Sequence, residues 1–284
     1  MHDIVPYIFH NRAVAFLDVL GFQQFLREFD MEANQNRKRL SEEDEDPILA
    51  GRFTSQKANE FIATFKNAIQ QLDKEKYRYY LFSDNICITS IQETTPNDLQ
   101  DLLLVITKLY FDFAKKGYFL RGGVDYGLFI DEETIAIGVP LANAYLLESK
   151  IAIYPRIVLS TNIVDQFQAY NLLGEKEYDY PFADVMIEGE DVKYLNIFLQ
   201  VFQSDYVEDK RLFFTDFNQV IGNHLEENRQ NERIYEKYQW LAEQFNIFID
   251  KFVNELAFQD SNFDPESDED FLEFVKKQRI NYGN

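Results

Sequence analysis

The sequence predicts an α+β fold, one sheet with helices on one face, followed by a helical extension. Three observations lead there. Apolar runs of strand length alternate with stretches of helical spacing, in the order β-α-(insert)-α-β-β-α-β-β-α-β-α, over roughly the first 200 residues. Two strand-like runs lie back to back in Tyr77–Ser90, around the turn-forming Ser83-Asp84-Asn85. After about residue 200 the spacing is helical only. Strand-helix units around a central hairpin make a ferredoxin-like palm the natural candidate. The expected division is 1–200 for this domain and 201–284 for the extension.

The elements follow in order. The first strand covers roughly Arg12 to Leu20, and Gly21 opens a helix with Phe22, Phe25, Leu26 and Phe29 on one face. Residues about 30–51 are polar and poor in apolar spacing, which predicts an acidic, mobile insertion. A helix resumes near Phe53, with Phe61, Phe65, Ala68, Ile69 and Leu72 as its stripe. After the hairpin, Pro96-Asn97-Asp98 caps a helix that Gly117 ends. Tyr118–Ile130 is a strand, Asp131-Glu132-Glu133 a turn, and a short strand ends at Ile137. Gly138 precedes a helix from about Pro140 to Ile151, and Arg156–Ser160 is a strand before a helix capped by Thr161 or Asn162. Short strands are expected near Val185–Ile187 and Tyr194–Ile197. In the extension, Ile234, Tyr238, Leu241, Phe245, Phe248, Phe252 and Leu256 recur at three and four. They describe a helix of about seven turns, packed on the domain or offered to a partner.

Composition narrows the function. With 46% apolar residues in 284, a sizeable core forms. No run approaches the length of a membrane span, and the N-terminus has no signal-peptide pattern, so no membrane partner is expected. The single Cys87 reads as a core thiol in a reducing cytoplasm. A net charge of −21 argues against sequence-independent nucleic-acid binding. A nucleotide is admissible as a magnesium complex at a shielded site. Much of the charge sits in Ser41–Asp46 and Asp260–Asp270, which read as solvated loops or tails. His2, His10 and His224 are too scattered for a zinc site or a triad, and no P-loop is present.

Two aspartates carry the chemistry. Asp18 interrupts the apolar run Ala13–Phe22, and Asp84 interrupts Tyr80–Ile88. A carboxylate within an apolar strand is costly unless something pairs with it. From the first strand and the adjacent hairpin, both can face one point, and two bare carboxylates at about 4–6 Å repel. A pair of magnesium ions removes that penalty. Magnesium usually takes one or two protein carboxylates and completes its shell with phosphate and water, so two aspartates suffice for a nucleoside triphosphate. Gly21 removes a side chain at the helix entry, where the N–H groups of Gly21, Phe22 and Gln23 can face a phosphate. Equally, Asp18 reads as a core carboxylate satisfied by a partner, and Gly21 as a helix-entry glycine.

Four segments resemble class III nucleotidyl cyclases. Phe16-Leu-Asp-Val-Leu-Gly-Phe22 is similar to their first metal motif, and Ser83-Asp84 to their second. Leu120-Arg-Gly-Gly-Val-Asp-Tyr-Gly127 resembles their Arg-x-Gly-x-x-x-Gly strand, and Gly138-Val-Pro-Leu-Ala-Asn-Ala-Tyr145 the helix that carries their transition-state residues. The motifs stand in family order over about residues 12–160. The Leu-Gly-Phe opening, Leu-Arg-Gly-Gly and Tyr154-Pro-Arg-Ile157 most resemble bacterial pyrimidine nucleotide cyclases of Pycsar antiphage systems. The resemblance implies that Asp18, Asp84 and the Val19 carbonyl bind two Mg or Mn ions. Backbone groups of Val19, Leu20, Gly21, Phe22 and Gln23 would hold the triphosphate. The implied reaction turns UTP or CTP into cUMP or cCMP and pyrophosphate, as second-messenger synthesis in antiphage defence. The implied assembly is a cytoplasmic homodimer with interfacial sites.

The chain departs from purine cyclases in two places. Tyr80 stands where their base-reading lysine does; it offers a ring and one hydroxyl and favours a pyrimidine, or it is a plain strand aromatic. Ala142 and Leu146 occupy the positions of their transition-state asparagine and arginine, and Asn143 comes one residue late. Arg121, Lys150 and Arg156 are the candidates to replace the arginine, unless each is structural. The alternative is a degenerate cyclase-like module that binds a nucleotide or partner without turnover.

Overall fold

Alternation along the first strand decides how the sheet is covered. In β1 (His10–Val19), Ala13, Ala15, Leu17 and Val19 enter the main core, while Val14, Phe16 and Asp18 take the opposite face. The computed structural model describes residues 7–43, 53–132, 135–169, 185–203, 206–259 and 265–282. β2 (Tyr77–Phe82) and β3 (Asn85–Ser90) form the hairpin, turning at Ser83-Asp84 with Ser83 at φ 60°. β3 pairs antiparallel with one edge of β1, and β4 (Leu120–Glu132) pairs antiparallel with the other. The order β2-β3-β1-β4, antiparallel throughout, is that of a ferredoxin-like palm.

Three helices cover one face: α1 (Phe22–Glu43), α2 (Gln56–Gln70) and α3 (Pro96–Ala114). β5 (Ile135–Gly138) folds back on β4 as a hairpin. α4 (Val139–Leu146) then crosses the other face, followed by a π-helical turn, Leu147–Ile151. Gly123 makes this crossing possible, since a Cβ there would lie 2.4 Å from the Ala144 carbonyl oxygen. β6 (Ile157–Leu159) joins β4 in parallel; α5 (Thr161–Ala169), β7 (Met186–Glu188) and β8 (Lys193–Leu195) follow, and β8 extends the sheet from β6. A 3-10 turn at Ile197–Gln203 leads to α6 (Val207–Glu227), α7 (Glu232–Gln259) and α8 (Pro265–Lys277). Phe198 stacks on Phe248, and Phe111 of α3 stacks on Phe217 of α6, so the core runs on into these helices.

Three elements differ from the sequence expectation. α1 continues to Glu43 through the first part of the stretch read as a loop. Residues 30–43 hold neither Gly nor Pro and many good helix formers, which suffices without an apolar stripe. The acidic run Pro265–Asp270 is the start of α8, with proline at its first residue and acids where the helix dipole favours them. α3 is capped by Thr95, which shares a capping box with Asp98. Residues 44–52, 133–134 and 260–264 lie outside the described residues.

Candidate active site

Register brings the site together. Asp18 lies opposite Asn85 of β3 on one side and Arg121 of β4 on the other. Arg121 Nε donates to Asp18 Oδ2 at 2.9 Å, and its Nη2 lies 2.9 Å from the same oxygen. That Nη2 also lies 2.7 Å from Oε1 of Glu148, whose side chain is 4% exposed. The Glu148 contact is an ion pair without hydrogen-bond alignment. Asp84, at the hairpin turn, accepts from the side-chain amide of the adjacent Asn85 at 3.3 Å and lies close enough to Asp18 to act on its charge. Two carboxylates, Asp18 and Glu148, therefore share one guanidinium.

The electrostatics follow. Burial pushes Asp18 up to about 7, the neighbouring Asp84 adds to this, and Arg121 opposes it. Burial also raises Glu148, with Arg121 and the hydrogen bond to Asp18 opposing. Such under-compensated carboxylates suit a hard divalent cation. No set of three or more His, Cys, Asp or Glu among the described residues is arranged to hold a metal alone. Asp18 and Asp84 thus fit magnesium or manganese only as partial ligands, with phosphate and water completing the shell.

The β1–α1 turn stands beside them. Val19 and Leu20 are buried, and Phe22 packs at 5.0 Å from the Phe61 ring. Gly21 takes φ 77° with open space where a Cβ would be, so backbone conformation alone favours glycine. The first N–H groups of α1 are those that a helix leaves unpaired.

The other candidates fall elsewhere. Asn143 donates to Asp125 at 2.8 Å, and Asn162 donates to the other oxygen of that fully buried carboxylate at 2.9 Å. Lys150 is exposed and lines a cavity of about 790 Å³ with Asn143 and Asp125. Arg156 is enclosed by the rings of Tyr154, Tyr194 and Trp240, at 5.5, 5.6 and 5.7 Å. Tyr80 shares a small buried cluster with Val14, Cys87 and Phe129, and its hydroxyl donates to Asp131 at 3.4 Å. Asp131 also pairs with Arg12 and Arg78. Burial pushes the Cys87 thiol up to about 12, as a core thiol requires.

Sequence reasoning missed Glu148 and Lys237. Glu148 follows the fully buried Ala144 by four residues, a spacing that turns it inward. Lys237 interrupts the apolar stripe of α7 between Ile234 and Leu241. Its pKa is lowered, first by burial, then by Arg121 and Arg233, with Asp18 opposing, which ties it to the carboxylates electrostatically.

No family profile and no curated protein matches the chain. Solved structures do. The chain is similar to the monomeric guanylyl cyclase domain of the RhoGC fusion protein from the aquatic fungus Blastocladiella emersonii, with 13% identity and a TM-score of 0.39, over 66% of this chain and 94% of that one. It is also similar to the adenylyl cyclase CyaB from P. aeruginosa, with 13% identity and a TM-score of 0.40, over 68% and 96%. The strand order, not these likenesses, carries the fold assignment. Among the described residues no helix is long and apolar enough to cross a membrane.

Proposed function

We propose that the protein is a metal-dependent nucleotidyl cyclase. The observation that carries this reading is Asp84 standing beside the buried Asp18, next to a glycine turn that opens a helix. Asp18 and Asp84, with the Val19 carbonyl, would hold two Mg or Mn ions, which lower the pKa of the attacking hydroxyl and neutralise the leaving pyrophosphate. The N–H groups of Gly21, Phe22 and Gln23 hold phosphate oxygens. The ribose 3′-hydroxyl gives its proton to water and its oxygen attacks the α-phosphorus; the bond from the α-phosphorus to the bridging oxygen of the β-phosphate breaks, giving a 3′,5′-cyclic nucleotide and pyrophosphate.

The finer parts of the reading have their own support. Tyr80 in place of a lysine favours UTP or CTP, hence cUMP or cCMP, and the Pycsar-like motifs suggest antiphage signalling in the cytoplasm. Exposed apolar side chains on the β4–β5 hairpin and α4, among them Leu128, Ile137, Val139 and Tyr145, favour a homodimer. The division at about residue 200 makes the palm the catalytic part. One observation favours the degenerate module instead. Arg121 is held by Asp18 and Glu148 and Arg156 by aromatic rings, so neither is free to meet a transition state.

Product analysis separates the two readings. Incubation with each of the four NTPs and Mg or Mn is expected to yield a cyclic product and pyrophosphate from a pyrimidine triphosphate. Binding without product from any NTP would support the degenerate module. Tyr80→Lys is expected to shift base preference, and an unchanged profile removes Tyr80 from base recognition.

A further inference from the structure

Glu148 is a costly side chain to bury. It is 4% exposed, it stands in the π-helical turn Leu147–Ile151, and its Oε1 accepts no hydrogen bond among the described residues. A buried oxygen left in that state is uncommon and calls for a cause. Stability does not supply one. Asp18 already gives Arg121 a carboxylate, with Nε and Nη2 both 2.9 Å from its Oδ2. A second buried carboxylate on the same guanidinium adds a desolvation cost that an apolar side chain would avoid. The backbone is nevertheless shaped to place Glu148 there. Ala152 N–H donates to the Leu147 carbonyl at 2.8 Å, five residues back, and the turn rests on Gly123, where a Cβ would lie 2.5 Å from the Leu147 Cβ. Single π turns occur mostly at functional sites.

The geometry at Arg121 supplies the cause. Its Nη2 lies 2.7 Å from Glu148 Oε1, nearer than to Asp18, yet no N–H is aimed at that oxygen. A rotation of the guanidinium would align one. Asp18 cannot keep both N–H bonds and also serve a divalent ion, because two cations on one carboxylate repel. Glu148 is not arranged as a third ligand either, since no three such groups among the described residues can hold a metal. What Glu148 can take is the guanidinium.

We propose that Glu148 is a positioning residue: it receives Arg121 when Asp18 becomes a metal ligand, so that the guanidinium stays beside the site without opposing the metal. The inference rests on the metal-site reading of Asp18 and Asp84. In the metal-free protein Arg121 stands in for a cation on Asp18. After the transfer its Nε–H is released from Asp18 and can donate to an anion at the site.

The test is a double-mutant cycle on manganese affinity, read by electron paramagnetic resonance of the full chain with a non-cyclisable pyrimidine triphosphate analogue. Glu148→Gln keeps the shape, removes the charge and is expected to raise the manganese Kd about tenfold, within the range for residues of one ion-pair network. In an Arg121→Met background the same change should raise Kd about threefold at most, because no guanidinium remains to be received. Equal fold-changes in the two backgrounds would mean that Glu148 acts on the metal by its own charge, and would overturn the proposal. Glu75→Gln, on the exposed surface, should match wild type. A second measurement needs no Glu148 variant. The Arg121 Nε–H resonance, assigned by its loss in Arg121→Lys, should shift when magnesium and the analogue saturate wild type. A resonance that stays in place with metal bound also overturns the proposal. The two readings fail separately. If the cycle shows the coupling while wild type makes no cyclic product, the transfer stands and the catalytic reading falls. If wild type cyclises and the fold-changes are equal, only the role of Glu148 falls. A wild type that binds no manganese removes both.

Discussion

Asp18→Asn is expected to abolish cyclisation while stabilising the metal-free protein. The asparagine carbonyl can still accept from Arg121, and its neutral amide does not repel Asp84. The variant therefore resembles the protonated site but offers a poor metal ligand. Product should fall below about one thousandth of wild type, a barrier increase of about 4 kcal/mol. The stability effect has a definite sign. Asp18 titrates at about 7 in the fold against 3.8 as the ordinary value. Its proton thus contributes stability fully below 3.8, and that contribution is lost as pH rises through 7. Asparagine has nothing to lose. At pH 8 without metal the variant should exceed wild type by about 1–3 kcal/mol, and the gap should close towards acid pH. Urea unfolding at several pH values measures this. Wild-type activity in the variant, or a gap that grows in acid, would contradict the assignment of Asp18.

Arg121→Met should act in the opposite direction. It leaves Asp18 and Glu148 without their guanidinium, and removal of one member of a buried ion pair costs about 3–5 kcal/mol. Arg121 is 26% exposed, so the lower end of that range applies. The loss should be largest above pH 7, where Asp18 ionises, and magnesium should restore part of it. Arg121→Lys keeps the charge but not the fork that reaches two carboxylates, so it should fall between the two. A loss below about 0.5 kcal/mol at pH 8, within the range of an ordinary surface substitution, would show that Arg121 does not offset this cluster.

Much of the palm was legible because its signals are local. The hairpin at Ser83–Asn85, the Gly117 helix end and the apolar stripes of α2 and α3 each depend on neighbours in sequence. The nearness of Asp18 to the Asp84 turn was legible because a charge in an apolar strand demands a partner and the hairpin lies beside that strand. The cationic side was not. Arg121 reaches Asp18 by strand register, and Glu148 reaches Arg121 only because Gly123 lets α4 descend onto the sheet. Lys237 comes from a helix more than two hundred residues beyond Asp18 in the chain. Arg156 looked equally eligible in sequence, but tertiary packing gave it to Tyr154, Tyr194 and Trp240. Charge partners set by long-range packing leave no spacing pattern to read.

The central claim is that Asp18 and Asp84 form a divalent-metal site that acts on a triphosphate. Manganese titration followed by electron paramagnetic resonance, with and without a non-cyclisable pyrimidine triphosphate analogue, tests it directly. The account predicts weak manganese binding by the protein alone, marked tightening with the analogue, and loss of that tightening in both Asp18→Asn and Asp84→Asn. Manganese binding that both variants leave unchanged would contradict it.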